Sequence, residues 1–205
     1  MKTVSFQQTQ VVPGKIVCIG RNYVAHVHEL GNEIPDEMVI FNKPNSAIAD
    51  TLSATHNGDV LHYEGEIAYL FQGGRFVAAA FGLDLTKRDV QSALKAKSLP
   101  WERSKAFNGA AVFSEFVPLP EDGALLGLTL DIDGKRVQQG DTSLMMYKPE
   151  QILAEIQSFM QLNDGDVVMT GTPAGVGQVR EGALFNGALV ADGQPLLSHQ
   201  WEAQP

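Results

Sequence analysis

The chain has 205 residues, enough for one well-cored domain and few for two. With 44% hydrophobic and 19% charged residues it falls outside the disordered class, and its net charge of −9 disfavours nucleic acid or an anionic membrane as a partner. A single cysteine rules out an intrachain disulfide and points to a reducing, cytoplasmic setting. The opening MKTVSFQQTQVVPG lacks the apolar core of a signal peptide. No run nears the roughly 20 apolar residues of a membrane span, so a soluble protein is expected. An acidic chain can draw in an anionic substrate only through a local cation from Lys, Arg or a bound metal.

Residues 15–19, Lys-Ile-Val-Cys-Ile, read as a buried strand ending at Gly20, with Cys18 as core packing. A short helix follows, with Asn22 as its expected N-cap and Gly31 as its stop. On that helix His26 and Glu29 are i,i+3 neighbours, so the carboxylate can orient the imidazole as a general base. A plain surface contact is the alternative. Residues 33–37 form an acidic loop, and a strand at 39–41 runs into a turn at Pro44. Lys43 reads either as a surface lysine or as an anion contact. Asn57-Gly58 marks a hairpin.

Residues 61–71 read as one strand closed by Gly73-Gly74. Alternation places His62, Glu64 and Glu66 on one face, with the two glutamates roughly 6–7 Å apart at Cα. Like charges that close repel on a half-buried face unless a cation lies between them; a solvated polar face is the alternative. A second strand from Phe76 runs to Asp84, next to a helix start, where a carboxylate can point into a cleft. Asp84 is thus the natural third ligand for a hard cation. Thr86-Lys-Arg-Asp89 has the spacing of a capping box for a helix over 87–97. Lys105, in a polar stretch at 102–110, is either solvated or, near a carboxylate-bound cation, able to pair with an anionic substrate.

The stretch 119–127 is turn-rich, and Asp133-Gly134 joins a hairpin of strands at 128–132 and 135–138. Pro149 opens a helix over 149–162 whose Ile152, Leu153, Ile156, Phe159 and Met160 make one core-facing stripe. The segment 163–177 is a strand running into a glycine-rich loop, Thr170-Gly-Thr-Pro-Ala-Gly-Val-Gly177. It is neither a Walker loop nor a dinucleotide fingerprint. Its threonine hydroxyls and exposed amides can hold a carboxylate. No repeat or linker divides the chain, so one domain over 1–205 is expected.

Taken together, Lys15-Ile-Val-Cys-Ile-Gly-Arg-Asn-Tyr23, His26 with Glu29, His62-x-Glu64-x-Glu66, Leu83-Asp-Leu-Thr-x-Arg-Asp89, Lys105-x-Phe107 and Thr170-Gly-Thr-Pro-x-Gly-Val-Gly177 resemble the fumarylacetoacetate hydrolase family. The likeness is greatest to its short, acylpyruvase-like branch and covers most of 15–177. It implies a mainly β, α+β fold, a mixed β-sandwich or β-roll, assembled as a homodimer. It implies Mg²⁺ or Mn²⁺ on Glu64, Glu66 and Asp84, in keeping with the oxygen ligands such ions prefer. It assigns His26 and Glu29 to water activation and Lys105 and Gln91 to the metal and substrate. Arg21 falls at the site entrance, and Thr172 contacts a substrate carboxylate. Gly65 departs from the apolar residue frequent in relatives, which is expected to matter little on the face away from the metal.

The expected reaction is hydrolysis of a C–C bond in a 2,4-dioxo acid, a small anionic 2-oxo acid substrate, giving pyruvate and a carboxylic acid. Oxaloacetate decarboxylation and isomerisation of a hydroxymuconate-type diacid are alternatives on the same site. A non-catalytic metal- or acid-binding protein is a further one, against which the His26–Glu29 pair counts. A zinc hydrolase using His26, His28 and His62 is weaker, because those histidines lack zinc-ligand spacing.

Overall fold

The computed structural model describes residues 1–120 and 123–205. Positions 121 and 122 of the expected turn-rich stretch lie outside the described residues. β1 (Val4–Phe6) and β2 (Thr9–Val11) form a hairpin, and β3 (Lys15–Gly20) leads into α1 (Val24–Glu29). β4 (Val39–Pro44) returns antiparallel to β3, followed by β5 (Ile48–Ala49). β6 (Thr55–His56) and β7 (Asp59–Val60) turn at Asn57-Gly58 as expected. Then come β8 (His62–Tyr63), β9 (Gly65–Gln72), β10 (Arg75–Asp84), α2 (Arg88–Ala96), α3 (Glu102–Lys105), β11 (Ala111–Phe113) and β12 (Val117–Pro118). β13 (Leu126–Ile132) and β14 (Lys135–Asp141) form the Asp-Gly hairpin. α4 (Pro149–Phe159), β15 (Val167–Met169), β16 (Gly177–Gln178), β17 (Leu184–Ala191) and β18 (Gln194–Glu202) complete the chain.

The larger sheet runs β4-β3-β15-β9-β10-β11-β5, with β12 also on β10; the smaller runs β14-β13-β17-β18. In the larger sheet β15–β3 and β11–β5 are parallel and the other pairs antiparallel, so the fold is the expected mainly β, mixed sandwich-and-roll. Alternation along β9 and β10 explains the layering. Ile67, Phe81 and Leu83 pack against Leu128, Leu130, Phe185 and Leu189 of the smaller sheet. Ala68, Leu70 and Ala80, on the opposite face, meet Ile16, Met169 and Phe116 where the larger sheet curls over itself. Each such large side chain contributes about 1.5–3 kcal/mol by burial. Cys18 lies in this second core, where burial pushes its thiol well up, so the packing role holds.

Several local expectations give way to longer-range bonding. The strand at 61–71 is two strands, because the chain changes partner at Glu64: β8 pairs with β16, and β9 with β10 and β15. Asn22 does not cap α1; Tyr23 holds that place. Asn22 is instead buried, donating to the carbonyls of Tyr147 and Thr170 and accepting from the Tyr147 amide. Gly31 does follow the helix, with φ +62. Thr86 caps nothing either, since α2 starts at Arg88 after Lys87 and the Thr86 hydroxyl accepts from Lys105. α4 stops at Phe159; its apolar stripe buries Ile152 and Ile156 against Val17, Ile19 and Val168, with Leu153 and Met160 packed beside them, but Phe159 stays 59% exposed.

Gly65 also matters more than expected. Its amide donates to Gln138 Oε1, and a Cβ there would meet that oxygen at 2.9 Å and the Phe81 ring at 3.0 Å. A side chain at this position displaces the buried Gln138, whose amide nitrogen holds the Thr172 hydroxyl and the Pro173 carbonyl.

Candidate active site

The register of β9 and β10 sets Glu66 opposite Gly82, and the next backbone bond runs from the Asp84 amide to the Glu64 carbonyl at 2.9 Å. Glu64, Glu66 and Asp84 therefore converge at one end of the second core, each offering an oxygen within 4.8 Å of the others. All three are buried. Among the described residues they are the one such set of His, Cys, Asp and Glu. His28 is exposed on α1 and His62 does not join His26, so the zinc trio is not assembled.

Three cations interleave with this set. Lys105, buried at the end of α3, donates to Glu64 at 2.8 Å, Asp84 at 2.7 Å and the Thr86 hydroxyl at 2.6 Å, which uses all its protons. Arg88 of α2 pairs with the other Glu64 oxygen and donates to Gln91 Oε1 at 2.8 Å. Lys43 of β4, read above as a surface or anion-contact residue, is fully buried. Its ammonium lies 2.7 Å from Asp84 Oδ1, an ionic contact outside hydrogen-bond alignment, and donates to the carbonyl of Lys105. Asp84 Oδ1 thus keeps no aligned donor.

The charge distribution is uneven. Burial raises the Glu64 carboxyl, but Lys105, Arg88 and His26 outweigh it and hold Glu64 well below the usual range. Burial also raises Glu66, and Asp84 and Glu64 push it further, against little more than the Gly171 amide at 2.7 Å. Burial alone lowers Lys105, yet Asp84 and Glu64 overcompensate and raise it. A buried all-oxygen set with one weakly compensated carboxylate and one unaligned oxygen fits a hard divalent cation such as Mg²⁺ or Mn²⁺.

His26, Arg21, Gln91 and Thr172 line the cavity over this set, together with Lys95 and Trp101. The cavity holds about 30 Å³ of water-sized space. Glu29 stands behind His26: its Oε2 is 3.1 Å from His26 Nδ1, and its Oε1 accepts from the Gly175 amide at 2.9 Å. Gly175 has φ +104, and a Cβ there would meet the Val137 carbonyl oxygen at 1.9 Å, so only glycine brings that amide to Glu29. Thr170 and Thr172 are buried, and the Thr170 hydroxyl donates to the Ile67 carbonyl at 2.9 Å. The Thr172 hydroxyl donates to the Gly65 carbonyl at 2.9 Å and accepts from Gln138 at 2.8 Å.

Sequence reading places Arg88 in a motif but gives neither it nor Lys95 a role in the site. A signal was present: Arg88, Gln91 and Lys95 follow i, i+3, i+7 on α2, one face of a helix. Lys43 carried none, since a lysine in a strand ordinarily faces water.

The family model for the C-terminal part of fumarylacetoacetate (FAA) hydrolase matches residues 15–199, past the Gly177 at which the motifs end. Escherichia coli (strain K12) oxaloacetate tautomerase YcgM is 38% identical over 185 residues, 82% of this chain and 84% of that protein. A provisionally named fumarylacetoacetate isomerase/hydrolase from Oleispira antarctica superposes with TM-score 0.93 at 35% identity, covering 99% of this chain and 100% of that one. The fumarylpyruvate hydrolase of Pseudomonas aeruginosa, solved with Mn²⁺ and pyruvate, superposes with TM-score 0.86 at 28% identity, covering 100% and 97%. With nearly its whole length matched in sequence and in fold, the chain belongs to the fumarylacetoacetate hydrolase family.

Proposed function

We propose that this protein is a divalent-metal-dependent enzyme that moves protons on a small 2-oxo acid, and that its reaction is the keto–enol interconversion of oxaloacetate. The observation that carries this reading is the meeting of the Glu64, Glu66 and Asp84 oxygens in one small cavity with His26 and Lys105. The likeness to an oxaloacetate tautomerase supports it. Mg²⁺ or Mn²⁺ on these three carboxylates would withdraw electron density from the keto and carboxylate oxygens of the substrate, acidifying the adjacent C–H.

The protein's own groups then divide the work. Glu29 engages His26 Nδ1, so Nε2 is the nitrogen available to take the proton from C3. The C–H electron pair becomes the C2–C3 double bond, the carbonyl π pair moves to the keto oxygen, and a proton is returned there. Lys105, held charged by Asp84 and Glu64, is a poor proton donor and acts as a fixed positive charge beside that oxygen. The Gly175 amide keeps Glu29 and with it the imidazole in place.

A second reading keeps the expected C–C hydrolysis of acylpyruvates, favoured by His26, with Glu29 on its Nδ1, lining a cavity with room for water. His26 takes a proton from water, the hydroxide adds to the distal carbonyl carbon, and the C3–C4 bond breaks. Its electrons go to C3, which regains a proton as pyruvate, and the carboxylic acid leaves. Both readings are tested by following enol-oxaloacetate absorbance and acetylpyruvate cleavage on metal-stripped protein before and after adding Mg²⁺ or Mn²⁺. Metal-dependent decay of the enol is expected. Cleavage of acetylpyruvate alone selects the hydrolase, pyruvate from oxaloacetate selects a decarboxylase, and silence on all three selects a binding protein.

A further inference from the structure

Two of the cations that line the cavity have no carboxylate partner among the described residues. Glu64, Glu66 and Asp84 are matched in number by Lys43, Lys105 and Arg88, each of which touches Glu64 or Asp84. Arg21 and Lys95 line the same cavity, and among the described residues neither forms an ion pair. The Arg21 guanidinium makes one long bond, 3.3 Å to Asn32 Oδ1, and its Nε is buried without a partner. Its backbone sits at φ +58, a left-handed conformation that strains a non-glycine residue and recurs at functional sites. Lys95 lies one turn beyond Gln91 on α2, its ammonium 5.0 Å from the centre of the Trp101 ring. Burial, then Arg21 and Arg88, make its charge costly, lowering its pKa to about 8. Two half-buried cations with no carboxylate between them are relieved by a bound anion.

We propose that Arg21 and Lys95 form a subsite for the second carboxylate of a dicarboxylic 2-oxo acid, and that Lys95 sets the preference for such substrates over monocarboxylic ones. This rests on the preceding reading, in which the keto-acid end lies at the Glu64, Glu66 and Asp84 set. The planar fork of Arg21 suits one edge of a carboxylate and the Lys95 ammonium the other. Trp101 limits the subsite on the side of α3 and holds the lysine over it.

The test uses Lys95→Met and Lys95→Arg with two substrates: oxaloacetate, followed as enol–keto conversion, and pyruvate, followed as methyl proton exchange in D₂O by NMR. Binding of both compounds to the metal-loaded proteins is measured in parallel by calorimetry. Lys95→Met is expected to raise KM and Kd for oxaloacetate by about ten- to a hundredfold with kcat within a few-fold, leaving pyruvate unchanged. Lys95→Arg restores the preference. Equal losses on both compounds, or no loss on either, overturn the subsite. A wild-type protein that turns over neither compound defeats the functional reading instead. The calorimetric preference for oxaloacetate, and its loss in Lys95→Met, then decides the subsite alone.

Discussion

Lys43 Nζ and Asp84 Oδ1 lie 2.7 Å apart, and both side chains are almost wholly buried. The lysine therefore supports the candidate metal ligand from within the protein interior. Removing one member of a buried pair leaves the other charge uncompensated, at a cost of about 3–5 kcal/mol. Lys43→Met should lower the urea midpoint by that equivalent, and added Mg²⁺ should restore more stability to the variant than to wild type. An unchanged midpoint would remove Lys43 from the site's framework.

Gly65→Ala should cost about 1–3 kcal/mol by overpacking, since the added methyl meets Gln138 and Phe81 at 2.9 and 3.0 Å. The readout is the denaturation midpoint, with a second substitution, Gln138→Ala, expected to reduce the penalty of the first. Additive losses would show that the two side chains do not compete for this space.

His26→Ala and Glu29→Gln separate binding from proton transfer. Neither residue belongs to the carboxylate set, so metal affinity should be preserved, while kcat falls about 10²–10⁴-fold for His26→Ala. Glu29→Gln keeps the bond to Gly175 within reach but weakens the orienting charge, and a smaller loss is expected. Full activity in His26→Ala would transfer the base to another group.

The pH dependence follows from Lys95, whose pKa burial, Arg21 and Arg88 lower to about 8, against Glu64. The lysine is charged below that pH and neutral above it, so affinity for a dicarboxylate falls as pH rises through about 8. KM for oxaloacetate should climb there, while in Lys95→Arg the climb disappears, because a guanidinium keeps its charge throughout this range. A wild-type KM that stays flat to pH 9 would contradict the reading.

Much of this site was legible because period-two alternation places residues on faces without reference to the rest of the chain. Glu66 and Asp84 share the face of Ala68 and Ala80, as alternation requires, and i,i+3 spacing brings His26 and Glu29 together on α1. What local rules missed lay in long-range partners. Asn22 and Thr86 have the chemistry of helix caps, but stronger claims come from Tyr147, Thr170 and Lys105, far along the chain. Phe159 fits the apolar stripe of α4, yet it stays 59% exposed while the neighbouring Met160 and Leu162 pack on the core that the helix faces. Lys43 becomes intelligible only once the fold sets Asp84 against it.

The central claim, a divalent-metal site on Glu64, Glu66 and Asp84, is tested most directly by titrating metal-stripped protein with Mn²⁺ and reading the free ion by electron paramagnetic resonance. One ion per chain is predicted for wild type. In Glu66→Ala affinity should fall by at least about a hundredfold, more than the 10–100-fold typical of losing a partner outside the ligand set. No bound ion in wild type, or equal binding in Glu66→Ala, would contradict the account.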